Sequence, residues 1–175
     1  MPAKRRDEKR RSRKISNRSS KFFPMAILVI IILAVIGIAV FYALPQVSND
    51  FVPINVILVE NGSLIVGNNC TALIATTSQE RLQSIELGLE NKVDVRPTTH
   101  DNFVAVLAAF NITLDRVEIY RFDSDIFYSD AYFTSKDGML QLDMRPSDAI
   151  ALAVRTKSPV YINKTILATM GKNIC

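Results

Sequence analysis

Two short stretches of this 175-residue chain place an arginine, a proline, hydroxyl residues and an acid in the same order. One is Arg96-Pro97-Thr98-Thr99-His100-Asp101; the other is Arg145-Pro146-Ser147-Asp148. Proline presets φ and gives up an N–H that a first helical turn does not use. Ser, Thr and Asp accept hydrogen bonds from the free N–H groups of that turn, and the acid suits the positive end of the helix dipole. Each stretch therefore reads as a helix N-terminus with a guanidinium beside it. If both open on one pocket, Arg96, Arg145 and Ser147 suit a phosphate. Asp101, Asp143 and Asp148 offer oxygen ligands to a divalent cation such as Mg2+. His100, the only histidine, has an unperturbed pKa near neutrality and suits a general base. Glu80, in the first turn of another predicted helix, is a further acid. The plainer reading has two well-capped helix starts, with Arg145 ion-paired to Asp148 and His100 bonded to a neighbouring acid.

These residues need elements to hold them. The run Met139-Leu-Gln-Leu-Asp143 alternates apolar and polar, as a half-buried strand does, and delivers Asp143 and Arg145 to a helix ending near Thr156. Upstream, Ile54–Glu60 and Ser63–Gly67 flank Asn61-Gly62, a strong hairpin signal, and Thr71–Thr77 gives a third strand. Ser78 can cap a helix to about Glu90, with Leu82, Ile85 and Leu89 on one face. Thr99 can cap the next, whose Phe103, Val104, Leu107, Ala108 and Phe110 form a broad apolar stripe. Residues 115–122 and 126–134 read as strands around the turn Asp123-Ser124-Asp125. Val160–Ile162 is a short strand, and a last helix runs from about Lys164 to Met170, with Gly171 as its C-cap. Strands that come in hairpins predict an α+β fold: a mostly antiparallel sheet with three to four packed helices.

The N-terminal part has a different composition. Residues 1–24 form a basic tail, 25–44 a span, 45–53 a linker, and 54–175 the domain. Met25 to Leu44 is uncharged and at about twenty residues matches the hydrocarbon thickness of a bilayer. Phe41, Tyr42 and Leu44 crowd the place where a cleavage site would need small residues, so the expectation is one uncleaved transmembrane signal anchor. Basic residues precede the span and none follows it before Arg81. The positive-inside rule then makes this a single-pass membrane protein with a cytoplasmic N-terminus and an extracytoplasmic domain. Acceptor sequons at Asn61, Asn69, Asn111 and Asn163 agree.

The whole chain has a formal charge of +4. Removing the ten basic and two acidic residues of positions 1–21 leaves eleven basic against fifteen acidic, a net −4. The basicity belongs to the tail, whose expected partner is the lipid bilayer through anionic headgroups. The domain lacks the basic footprint that gives nucleic-acid binders their non-specific affinity. Cys70 and Cys175 fall where a disulfide can form, but their spacing carries no geometry, and two separate thiols are the expectation. The chain has no Cys/His cluster at zinc spacing, Gly-rich phosphate loop, G-x-S-x-G elbow or HExxH.

The block RPSDAIALA after a strand, with Arg96-Pro97-x-Thr99-His100-Asp101, resembles the bifunctional nuclease domain family over roughly residues 54 to 165. That resemblance implies hydrolysis of DNA or RNA phosphodiesters with a divalent metal ion. It assigns His100, Asp101, Asp143, Asp148 and Glu80 to catalysis, Arg96, Arg145 and Ser147 to phosphate, and Asp143 and Asp148 to the metal. Arg96 and Arg145 are then expected within about 15 Å of each other, given the radius of a domain this size. Near Glu80 the chain reads TTSQER, without the glycine common in the family, and the membrane anchor is a larger departure. The alternative is a non-catalytic anion-binding or protein-interaction module on the same fold, and a homo-oligomer is compatible with either.

Overall fold

The computed structural model describes residues 22–43, 47–60 and 62–175. The chain forms two units, Met1–Gln46 and Val47–Cys175. In the first, helix α1 (Phe22–Ala43) carries no charged residue, and its described side chains, residues 27–38, are all exposed. Among the described residues, no helix is long and apolar enough to cross a membrane. The basic tail through Lys21 and Leu44, the last residue of the expected span, lie outside the described residues.

The second unit is α+β, built on an eight-stranded sheet that is mostly antiparallel. Strands β1 (Phe51–Glu60), β2 (Ser63–Asn68) and β3 (Thr71–Thr76) form one meander. Strands β4 (Thr113–Asp123), β5 (Ile126–Ser135) and β6 (Gly138–Met144) form another. Strand β7 (Val160–Asn163) joins them, antiparallel to β1 and parallel to β4. Its Val160 and Ile162 sit opposite Val117 and Ile119 on one side and Ile54 and Val52 on the other, so six residues make a continuous apolar face. A parallel neighbour demands a crossover, and helix α4 (Pro146–Thr156) is its main part. Helices α2 (Gln79–Leu89) and α3 (Thr99–Ala109) pack against α4, and α5 (Lys164–Met170) lies over β3 and β7. The hydrophobic core runs from Ile54 to Ile166, inside this unit throughout.

Helix α4 is the centre of the packing. Ala149, Ile150, Ala151, Leu152 and Ala153 are consecutive and all buried, as expected of a helix enclosed on every side. The alanines let neighbours come close, and α2 answers with Gly88. A Cβ there would stand 2.6 Å from Val154 Cγ2 and 2.8 Å from Arg155 Nη1, so any side chain would push α2 away from α4.

Several elements differ from the sequence reading. β1 begins at Phe51, so the linker stops three residues short of its expected end. Thr98, not Thr99, is the N-cap of α3. The apolar stripe of α3 is mostly uncovered: only Leu107 is buried, and Phe110 is 71% exposed. The turn expected at Asp123–Asp125 is present, with Ser124 and Asp125 at φ of 50° and 62°, the left-handed pair of a two-residue hairpin turn. Cys70 and Cys175 form a disulfide, with Cα atoms 5.1 Å apart. The C-terminal strand β8 (Lys172–Asn173) pairs with β3 at Thr71 and Ala72, which brings the last residue back to Cys70 after 105 positions. A crosslink of that span typically stabilises by about 2–4 kcal/mol, mainly through the unfolded chain.

Candidate functional site

The N-terminus of α4 is open. Arg145 occupies the N-cap position in extended backbone (φ −62°, ψ 135°), and no side chain caps the turn. Its carbonyl accepts from the N–H groups of Asp148 and Ala149, each at 3.0 Å, and Pro146 has no N–H. Ser147 is left as the first-turn amide without a partner among the described residues. Beside it lies a cavity of about 240 Å³. Thr76, Thr77, Arg81, Arg145 and Ser147 line its polar part, together with exposed Asp125. The five lining residues that are buried are all apolar: Leu64, Val66, Leu73, Ile119 and Ile150. Arg145 makes no ion pair among the described residues.

Asp148 does not turn to Arg145. Its Oδ1 lies 3.3 Å from Arg81 Nε and 3.5 Å from His100 Nε2. His100 Nδ1 is 2.9 Å from Ser84 Oγ. Burial holds the imidazole pKa below its ordinary value, aided by the Arg155 charge and opposed by Asp148 and Asp101. A neutral ring fits both contacts: Nε2–H points at the carboxylate, and Nδ1 accepts from the Ser84 hydroxyl. Ser84, His100 and Asp148 follow the order of a hydrolytic triad, yet Ser84 is only 3% exposed in the middle of α2. Its hydroxyl cannot meet a substrate; it positions the ring.

The other Arg-Pro turn is closed. Thr98 and Asp101 form a capping box: the Thr98 N–H and Oγ1–H donate to Asp101 Oδ2 at 2.8 and 2.7 Å, and Thr98 Oγ1 accepts from the Asp101 N–H at 3.3 Å. Asp101 Oδ1 accepts from Arg155 Nε at 2.6 Å. Burial alone would raise the Asp101 pKa, but the bonds from Arg155 and Thr98 overcome it and bring it below the usual value. Arg155 Nη1 donates to the Ser84 and Ala151 carbonyls at 2.7 and 2.8 Å. The adjacent residues His100 and Asp101 thus brace both ends of α4.

The expected site residues therefore separate. Arg145, Ser147 and Asp148 share the N-terminus of α4, and His100 reaches Asp148. Arg96 is exposed, outside the cavity and without an ion pair among the described residues. Glu80 is exposed at the start of α2, where a backbone N–H and the Ser78 hydroxyl hold its carboxyl below the usual range. Asp143 stands opposite Asp130 on β5. Its neighbours Leu142 and Met144 pack toward the core, so Asp143 points out of the other face of the sheet. There its charge helps burial to raise the Asp130 pKa. The strand alternation turns Asp143 away from the core face of the sheet, and Asp148 is held by Arg81 and His100. These two acids do not fit a shared divalent metal. Among the described residues, no three His, Cys, Asp or Glu side chains gather as a metal site.

Arg81, Ser84 and Arg155 were not foreseen. Arg155 reads in sequence as a basic last-turn residue that favours the helix dipole, and Arg81 as a departure near Glu80. Only the packing of α2 on α4 gives them partners.

Residues 64–174 match the bifunctional nuclease domain. Two uncharacterized proteins from two strains of Mycobacterium tuberculosis, MT1877 and Rv1829, are each 32% identical to this chain over 93 residues. Those matches cover 53% of this chain and 55% of each relative, so the chain spans about half the length of the curated relatives it matches.

Proposed function

The chain belongs to the bifunctional nuclease domain family, and from that membership and the open turn of α4 we propose that Val47–Cys175 engages phosphodiesters of DNA or RNA. The phosphate sits between Arg145, Arg81 and the Ser147 amide. The observation that carries this reading is the convergence of both arginines on one cavity at a helix start. Arg145 supplies a charged fork suited to non-bridging oxygens. Hydrolysis is the reaction that the family description names, and a divalent cation remains a reagent of the assay, with no step routed through it.

One observation favours the second reading, binding without cleavage. Asp148 is already held by Arg81 and His100, so it is not free beside the phosphate to deprotonate a water.

We further propose that α1 anchors the chain in a membrane with residues 47–175 outside. The uncharged helix, the basic tail before it and the Cys70–Cys175 bond support that placement, since disulfides persist in oxidising compartments.

The test is direct. Purified Val47–Cys175, a unit with its own core and disulfide, is incubated with single- and double-stranded DNA and RNA, with and without Mg2+ or Mn2+. Cleavage that falls roughly ten- to a hundredfold in Arg145→Ala, the scale of a lost hydrogen bond to a charged group, supports the nuclease reading. Phosphate-dependent binding without cleavage supports the second. Neither binding nor cleavage ends both. For the anchor, protease added to intact cells is expected to remove the domain and spare the tail; a protected domain contradicts the orientation.

A further inference from the structure

The two ends of the sheet are protected differently. At one end the two-residue strand β8 covers Thr71 and Ala72 of β3, and the disulfide fastens it there. The rest of that edge, Leu73–Thr76, borders the cavity of the open turn. At the other end lies β6, seven residues long, with β5 as its only strand neighbour among the described residues. Its register with β5 runs without a bulge from Gly138 to Met144, and it holds no lysine, arginine or proline. Those are the usual devices that keep an edge from joining another strand. Above the core face of the same end, helix α3 has no charged residue from Asn102 to Ala109. Yet Phe103, Val106 and, just past its end, Phe110 are 36%, 51% and 71% exposed. A helix that is apolar all round belongs in an interior. The two surfaces join: Phe103 meets Phe133 edge-on at a centroid distance of 6.0 Å, and Phe133 pairs across the ladder with Leu140 of β6, itself 55% exposed.

We propose that this end of the sheet is an interface between two copies of the chain, with β6 pairing antiparallel to β6 of the second copy about a two-fold axis at Gln141. An isologous contact needs a surface complementary to itself, and β6 is one. With Gln141 on the axis the whole strand pairs: Gly138 with Met144, Met139 with Asp143, Leu140 with Leu142, and Gln141 with its own mate. Asp143, the sole charge of the strand, then faces a methionine. An axis at Asp143 would set two carboxylates directly opposite each other, which is destabilising, and would leave most of the strand unpaired. Antiparallel pairing of two identical edges puts the axis across the sheet, so the helices of both copies lie on one face. The Phe103 side of α3 is the side nearer β6, and each copy therefore turns its uncovered stripe toward the other. A foreign strand would complete the edge and leave the stripe in water. A second copy answers both with one operation.

Sedimentation of Val47–Cys175 over a concentration series tests this. A monomer–dimer equilibrium is expected, weakened by at least roughly tenfold in Phe110→Glu and in Leu140→Lys, the scale of one anchor residue lost from an interface. Both positions are exposed, so far-UV circular dichroism should be unchanged. Gln141→Cys, which gives up only an exposed hydrogen bond to Asp130, reads the register. Paired residues of an antiparallel ladder have Cα atoms about 4.5–5.5 Å apart, within the roughly 4.4–6.8 Å that a disulfide spans, so mild oxidation should link the two copies. Met139→Cys, whose mate would lie about 14 Å along the ladder, should not link. A wild-type protein that stays monomeric throughout the series overturns the proposal. So does a dimer that neither surface variant weakens, since it must use another face, and a dimer in which Gln141→Cys fails to link overturns the β6 pairing.

Discussion

The two Arg-Pro turns are nearly the same in sequence and opposite in structure. At Arg96-Pro97 the hydroxyl and the acid satisfy each other, Thr98 with Asp101, and the remaining carboxylate oxygen holds Arg155. Nothing is left for a ligand, and the arginine points away into solvent. At Arg145-Pro146 no side chain caps the helix, the acid turns to Arg81 and His100, and the arginine lines a cavity. The difference lies in which partner each acid finds. One turn closes on itself and serves the fold; the other leaves its amide and guanidinium available.

The closed turn should therefore answer in stability. Arg155 and Asp101 have side chains only 7% and 12% exposed, so Asp101→Ala strands a buried guanidinium that already has one nitrogen, Nη2, without a partner. Breaking a buried pair in this way costs about 3–5 kcal/mol, the largest loss expected here, and denaturant unfolding would read it. A loss under about 1 kcal/mol would mean that Arg155 finds another partner, and the brace between α3 and α4 would be a minor feature.

A smaller effect is expected at the open turn. Asp148 is 27% exposed and Arg81 30%, so solvent screens their contact and Asp148→Asn should cost no more than about 1 kcal/mol. The same change frees Arg81 and should tighten phosphate binding. Weaker binding would instead place Asp148 in direct contact with the ligand.

The smallest effect sharpens the comparison through pH. His100 sits between the two acids, beside Asp148, Asp101, Arg155, Arg81 and Ser84, and burial depresses its pKa in the folded state. The unfolded chain then binds the proton more readily, so the contribution is fully present above about pH 6.5, the unperturbed value. It is lost as pH falls from there toward the folded pKa. Melting curves at pH 7.5 and 5.5 should show a fall that His100→Gln reduces. An equal fall in both proteins would assign the pH dependence to other groups.

Much of the scaffold was legible because it depends on local pattern. The strand over residues 139–143 and the Asp123–Asp125 turn appear where the spacing placed them, and Pro146 marks the first residue of α4. The disulfide was not legible, since it depends on β8 returning to the edge of the sheet at β3. The site was legible in part. Arg145, Ser147 and Asp148 follow from the turn itself, whereas Arg81 and Ser84 enter only because Gly88 lets α2 approach α4. Asp143 turns away from the core face, because a strand residue and a residue five positions later in a helix need not share a face. Proximity in sequence across the turn suggested a pair that the pleat separates.

The central claim is that the open turn binds phosphate and the closed turn does not. A phosphate titration of isotope-labelled Val47–Cys175, followed by the Ser147 amide and the Nε–H signals of Arg145 and Arg96, tests it most directly. The account predicts that the Ser147 and Arg145 signals move together along one saturation curve while Arg96 stays still. Saturating movement of Arg96 with Arg145 and Ser147 unchanged would contradict it.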